Sequence, residues 1–309
     1  MSGGCYLGVD GGGTKTAFVL IDERNHVTAE YQGGSSYYLQ IGLDGLRAVL
    51  AEGIAAVCPD PAQIAHAFFG LPSYGEDSRI DPQLAALPKG ILGHTRYTSG
   101  NDMVCGWAGS LGGADGINIV AGTGSIGYGE RQGKSARAGG WGEVFSDEGS
   151  AYWIAVQGLN AFSRMSDRRL AKGPLHEIFA DHFGLAHDLD ICGKIMGDGA
   201  HRDAIAALSK LVAAAADAGD AIAADIFDRA AVALADIVDA IRRALGFEAG
   251  EVVRLSYSGG VFNSGVRMVA AFTQQTRLRC PAFQPITPIH PPSLGAALYA
   301  KSLARKIAK

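Results

Sequence analysis

The chain has 309 residues and a formal net charge of -4. That length accommodates two domains of about 150 residues, and a charge so near neutral removes the electrostatic case for nucleic acid or an anionic membrane as partner. No apolar run approaches the ~18 residues needed to span a bilayer, and the opening MSGGCYLGVDGGGT lacks the basic-then-apolar pattern of a secretory leader, so a cytoplasmic protein is expected.

The chain opens with an apolar run, Tyr6 to Val9, that breaks into glycines, and a second, Ala17 to Ile21, that ends at the turn Asp22-Glu23-Arg24-Asn25. The pair reads as a β-hairpin with a glycine loop at its tip, and Thr28–Tyr31 extends the meander. Leu46, Val49, Leu50, Ile54 and Val57 stand at helical spacing behind Asp44, a candidate N-cap. Ala65–Leu71 reads as a buried strand, Asp81–Leu87 as a short helix with Pro82 at its first position, and Thr95–Ser99 as a strand that delivers Asp102.

The pattern then restarts. Ile117–Ala121 is a strand, Gly122-Thr123-Gly124-Ser125 a glycine turn, and Ser125–Glu130 the returning strand. Beyond Gly149 the composition turns helical, with Ala204–Val212 and Ala221–Leu245 amphipathic and Gly246 a stop. Val252–Tyr257 reads as a strand ending in Ser258-Gly259-Gly260, and Val266–Gln274 and Leu294–Ala304 as helices.

The 43 glycines are about twice the usual ~7% share. They cluster beside apolar β-like runs, which suits backbone laid close against a ligand. In Asp10-Gly11-Gly12-Gly13-Thr14-Lys15-Thr16 the glycine N–H groups can cradle an anion, Thr14 and Lys15 can add donors, and Asp10 can hold Mg²⁺ through water. A strand follows, so this is neither a Walker A loop nor a dinucleotide fingerprint; the plain alternative is a tight hairpin turn. The 122–125 turn is a second candidate phosphate loop, or an ordinary hairpin. Gly259 and Gly260 could lie against adenine or ribose, with Asn263 beside them, or the segment is a strand-to-helix turn capped by Asn263 or Ser264. Asp102 could accept the proton of an attacking hydroxyl, or cap the segment after it. The stretch from Gly139 to Ala151 mixes Trp141, Glu143, Asp147 and glycines as sugar sites do, or is a helix start capped by Asp147. The five cysteines are scattered without a CxxC, which argues against zinc or a disulfide framework and for reduced, buried thiols.

In order, these motifs resemble the sugar kinase/heat-shock/actin superfamily, and within it the BadF/BadG/BcrA/BcrD ATPase family, most like the N-acetylglucosamine kinases there. The most specific part is GGWGEVFSDEGSAYWIA at 139–155, supported by 10–16, 122–125 and PSLGAALYA at 292–300. The resemblance implies an α/β fold of two ribonuclease-H-like, actin-like ATPase domains with an interdomain cleft. It puts them at 1–115 and 116–290, with the helix at about 291–309 packing back on the first. It implies ATP held by Gly11, Gly12, Gly13, Thr14, Lys15, Gly122, Thr123, Gly124, Ser125, Gly259, Gly260 and Asn263. It implies Mg²⁺ at Asp10 and Asp102 as base for a sugar 6-hydroxyl, with Ser36, Ser73, Gly140, Trp141 and Asp147 around the sugar. It also implies a homodimer with a small-molecule sugar as partner, and neither nucleic acid nor membrane.

Two departures matter. Relatives carry Asn after the Ser/Thr pair of the first sugar loop, where Ser35-Ser36 is followed by Tyr37, and the zinc-binding cysteine cluster of the ROK sugar kinases is absent. Glucosamine is the alternative acceptor. From a different class, the family also holds ATPase activators of radical dehydratases, which carry an iron–sulfur cluster on cysteines; no matching cysteine pair stands beside the glycine loops here. A sugar-sensing regulator would need a DNA-binding module for which there is no spare length.

Overall fold

The computed structural model describes residues 4–197, 201–248 and 250–307. The chain forms two compact units, Met1–Asp115 with Ile286–Lys309, and Gly116–Pro285.

The first unit is built on a five-stranded sheet of β1 (Cys5–Asp10), β2 (Thr16–Ile21), β3 (Val27–Gly33), β4 (Ile64–Leu71) and β5 (Tyr97–Asn101). The order is β3-β2-β1-β4-β5. β1 runs antiparallel to β2 and parallel to β4, and β4 parallel to β5. The turn after β2 forms because Asp22 Oδ1 accepts from the N–H groups of Arg24 and His26 at 2.7 and 2.9 Å.

Helices α1 (Tyr38–Val57), α2 (Asp81–Leu92) and α3 (Met103–Leu111) complete most of this unit. Asp44 does not cap α1. The helix starts at Tyr38 and is kinked where Gly42 takes φ 70°, so the apolar spacing reveals only its second piece. α2 continues through Pro88 because Leu84, Leu87 and Leu92 are all buried, and β5 lies two residues beyond the expected span.

The second unit repeats the plan with β6 (Gly116–Ala121), β7 (Ser125–Arg131), β8 (Lys134–Gly139), β9 (Val253–Ser258) and β10 (Phe283–Ile286). Its order, β10-β9-β6-β7-β8, is that of the first sheet read from the other end. β8 and β10 escaped the sequence pattern: β8 is exposed or half-buried throughout, and β10 is a four-residue edge strand containing Pro285.

Between β8 and β9 lie α4 (Ala151–Ser166), α5 (Pro174–Phe183), α6 (Ile191–Met196), α7 (Arg202–Ala207), α8 (Ser209–Asp217) and α9 (Ala221–Ala244); α10 (Val266–Arg279) follows β9. The segment read as one helix at 204–212 is two, α7 and α8. The long α9 carries a stripe of Ile226, Phe227, Leu234, Val238 and Ile241 into a core shared with Ile117, Ile119, Phe162 and Phe179. It starts at Asp220, whose Oδ1 accepts from the Ile222 and Ala223 N–H groups, and stops at Gly246 with φ 69°.

The last helix, α11 (Pro292–Ile307), belongs to the first unit; the two residues beyond it in the expected span lie outside the described residues. It packs backbone on backbone against β1. A Cβ on Gly8 would sit 2.1 Å from the Ala297 nitrogen, so only glycine fits there. The buried Lys301 of α11 is satisfied by the Glu23 carbonyl and by Asn25 Oδ1 in the turn after β2. Among the described residues no helix is long and apolar enough to cross a membrane.

Candidate functional site

In the first unit the parallel strands β1, β4 and β5 end at one edge of the sheet, where ligands of α/β sheets usually bind. β1 delivers Asp10, β4 delivers Gly70 beside it in register, and β5 leads into Asp102. The glycine turn begins there: Gly11 N–H donates to the Gly70 carbonyl at 2.8 Å. The Ser36 N–H donates to the Gly12 carbonyl at 3.1 Å, which closes the 33–37 segment over the turn. Gly13, Thr14 and Lys15 at the tip are exposed. Ser36 is buried and its Oγ has no hydrogen-bond partner. Such a hydroxyl is costly unless something else bonds it. Ser73 lies just past β4 in a left-handed turn, φ 63°.

Asp102 occupies the N-cap position of α3, yet its side chain makes no capping hydrogen bond. Burial and then the charge of Asp102 push Asp10 up to about 7, partly offset by Cys105 and Lys15. Cys105 stands one helical turn after Asp102, fully buried, with its Sγ donating to the Val9 carbonyl at 3.6 Å. Desolvation holds its thiol well above the usual range. So a cysteine does stand beside the first glycine loop, as an inert thiol of the wall. A carboxylate at a strand edge, as Asp10 is, suits Mg²⁺, which takes few carboxylates and keeps several waters. Among the described residues no group of three or more His, Cys, Asp or Glu forms a closed metal cage.

In the second unit the turn 122–125 joins β6 to β7, and a hydrogen bond from Gly122 N–H to the Gly124 carbonyl closes it at 2.9 Å. The turn is docked on the start of α4: Ala151 N–H donates to the Gly122 carbonyl at 2.8 Å, and Ser125 Oγ to the Glu148 carbonyl at 2.8 Å. Parallel pairing of β6 with β9 brings the third glycine cluster to the same place. Gly259, at φ 105°, lies so close that a Cβ would be 2.3 Å from the Ala121 carbonyl. Gly260 and Asn263 form a short 3₁₀ turn with Asn263 exposed. Neither Asn263 nor Ser264 caps α10, whose N-cap is Gly265.

The 139–155 segment wraps the same end of the sheet. Gly140 takes φ 70°, and Trp141, Val144 and Phe145 are strongly exposed. Asp147 is buried at 2% exposure and takes φ 57°, rare for a non-glycine residue. It is not the cap of α4; Ser150 is, its Oγ accepting the Trp153 N–H at 3.1 Å. The Asp147 carboxylate instead bonds Arg202 Nη2 at 2.6 Å. Burial raises its pKa against the lowering effects of Arg202 and the Ser125 N–H, and Glu143 adds to the rise. Arg202 Nε also pairs with Glu143 Oε2 at 3.1 Å, and Thr123 Oγ1 donates to Asp203 Oδ1 at 3.2 Å. Sequence reading missed Arg202 and Asp203. They lie 55 and 80 positions from their partners, and no motif marks them. Cys105 had a signal, its helical spacing from Asp102. The cysteines are all free, but not all buried: Cys192 on α6 is exposed.

The model of the BadF/BadG/BcrA/BcrD ATPase family matches residues 7–300. An N-acetyl-D-glucosamine kinase of Dictyostelium discoideum is 29% identical over 314 residues, covering 97% of this chain and 98% of that protein. An N-acetylmuramic acid/N-acetylglucosamine kinase of Clostridium acetobutylicum is also 29% identical, with coverage of 96% and 98%. Among solved structures, one from Chromobacterium violaceum superposes with a TM-score of 0.71 at 24% identity, over 96% of this chain and 99% of that one. A ROK hexokinase from Thermus thermophilus does so with a TM-score of 0.63 at 13% identity, over 97% and 99%; both are likenesses of fold. With the family model spanning nearly the whole chain, over two α/β units with glycine turns at their strand ends, this protein belongs to the BadF/BadG/BcrA/BcrD ATPase family.

Proposed function

We propose that the chain transfers the γ-phosphoryl group of ATP to an amino sugar, N-acetylglucosamine at its 6-hydroxyl, with glucosamine as the alternative acceptor. The observation that carries this reading is Asp102, standing just past β5 at the strand edge, close enough for its charge to act on Asp10 beside the first glycine turn. Two relatives of nearly full coverage named as N-acetylglucosamine kinases support the substrate class.

Phosphoryl transfer leaves little covalent chemistry to a protein, so positioning and charge neutralisation dominate. In this reading the N–H groups of 11–14 and 122–125 cradle the phosphates, and Gly259, Gly260 and Asn263 border the nucleoside. Asp10 would hold Mg²⁺, which would supply charge neutralisation on the phosphate oxygens. Asp102 orients the 6-hydroxyl and takes its proton as the oxygen attacks phosphorus. Ser36, Ser73, Gly140, Trp141 and Asp147 contact the sugar; the buried, unpartnered Ser36 hydroxyl is the group with unmet hydrogen-bonding need there. A cytoplasmic homodimer is part of the same proposal, checked by light scattering.

The deciding experiment is a coupled ADP-release assay over a panel of hexoses and amino sugars with Mg²⁺–ATP. Phosphorylation of N-acetylglucosamine or glucosamine well above the other hexoses is expected. ATP hydrolysis unaffected by any sugar, with iron in the purified protein, would replace this reading with the dehydratase-activator one.

A further inference from the structure

Arg202 holds a position that the kinase reading does not yet use. Its guanidinium bridges Glu143 at 3.1 Å and Asp147 at 2.6 Å. It also lies close against the second glycine turn: a Cβ on Gly124 would meet Arg202 Nη2 at 2.6 Å and Asp147 Oδ2 at 2.7 Å. Glycine at 124 is therefore what lets an arginine–aspartate pair rest on a candidate phosphate loop. At the same turn Gly122 has open space where a Cβ would point.

The two partners are unequally held. The Asp147 side chain is 3% exposed and pinned by a backbone at φ 57°, whereas the Arg202 side chain is 44% exposed. In any exchange the arginine moves and the aspartate stays. A guanidinium fork matches phosphate as well as carboxylate, and a polyphosphate seated on the turn carries more charge than Asp147. Glu143 remains as a tether, so the fork can turn without leaving the site.

We propose that Arg202 is a positioning residue that exchanges Asp147 for the phosphates of the bound nucleotide and thereby releases the Asp147 carboxylate to the acceptor sugar. This rests on the kinase reading and adds to it a coupling between the two substrates. A carboxylate already paired with arginine is a poorer acceptor for sugar hydroxyls than one just vacated. Nucleotide binding then raises sugar affinity, and by linkage sugar raises nucleotide affinity by the same factor.

The test is calorimetric titration of the full chain with N-acetylglucosamine, glucosamine and N-acetylmuramic acid, each with and without Mg²⁺–AMP-PNP. In the wild type the nucleotide should tighten sugar binding by at least about fivefold, the low end of typical coupling. In Arg202→Gln the factor should fall to about one, with sugar affinity in the absence of nucleotide unchanged or higher. Arg202→Lys keeps a cation for the buried Asp147 but not the fork; it should melt like the wild type and lose most of the coupling. Arg202 as a purely structural tie would leave the coupling intact in any folded variant, so wild-type coupling in either one overturns the proposal. A wild type that binds AMP-PNP but none of the three sugars overturns the kinase reading, and this inference with it.

Discussion

Asn101 performs the capping that the position of Asp102 calls for. The Asn101 Oδ1 accepts the Met103 N–H at 3.1 Å, and its Nδ2 donates to the Tyr74 carbonyl at 3.0 Å. Asp102, at the N-cap itself, makes no side-chain capping bond. The neighbours therefore have separable roles. Asp102→Asn should lower turnover by about 10²-fold or more, the low end for a positioned general base, in a protein that still folds. Asn101→Ala should cost about 1 kcal/mol of stability through the lost cap. ADP-release kinetics and thermal melts on both variants check this; near-normal turnover in Asp102→Asn removes it from the chemistry.

Asp147 should govern acceptor binding. Hydrogen bonds to a charged acceptor are worth roughly 1.5–3 kcal/mol, so Asp147→Ala should raise the sugar KM by about one to two decades at ~1.4 kcal/mol per decade. The ATP KM should move less. Since Ser150 caps α4, loss of that cap cannot account for the result. An unchanged sugar KM in a folded Asp147→Ala protein would reduce the residue to a tie for Arg202.

Asp220 should be a stability residue with no part in chemistry. It caps α9 through two N–H groups at 2.9 and 3.0 Å, and its Oδ2 also accepts the Leu175 N–H of α5 at 2.8 Å. Asp220→Ala strips the acceptor from three N–H groups at once. A loss of about 1–3 kcal/mol in denaturant unfolding is expected, with both KM values unchanged at low temperature.

Asp188 supplies a pH signature. Hydrogen bonds from Lys172 at 2.8 Å and His176 at 2.9 Å hold its pKa at about 2, in that order of importance. The folded value lies below the unfolded one, so the stabilisation is present above about pH 4 and is lost as pH falls toward about 2. Asp188→Asn should therefore melt lower than the wild type at neutral pH, with the gap closing between about pH 4 and 2. A gap constant across that window would show that the pairing adds nothing to stability.

Local patterns carried the reading of the sheets. The 10–16 and 122–125 turns were legible because strand, glycine run and strand are contiguous in each. So was α9, whose apolar stripe and Gly246 stop are short-range features. Reading was harder where one residue changes the geometry. Gly42 hid the first piece of α1, and the polar faces of β8 removed its alternation.

By itself, then, the sequence determined where backbone turns close on glycines, which runs pair as neighbouring strands, and which family the chain resembles. Each of these follows from residues a few positions apart, whose φ/ψ limits and side-chain period act locally. Only the tertiary structure decided what the candidate site residues touch. Strand β4 aligns Gly70 between Asp10 and the start of α3, so Asp102 and Cys105 fall beside a loop about ninety positions earlier in the chain. The run of helices after Gly149 carries Arg202 back onto Asp147, and it passes the cap of α4 to Ser150. Burial is why the tertiary structure matters there. A carboxylate as enclosed as Asp147 needs donors, and which donors reach it is set by packing across 55 positions of chain rather than by any local preference.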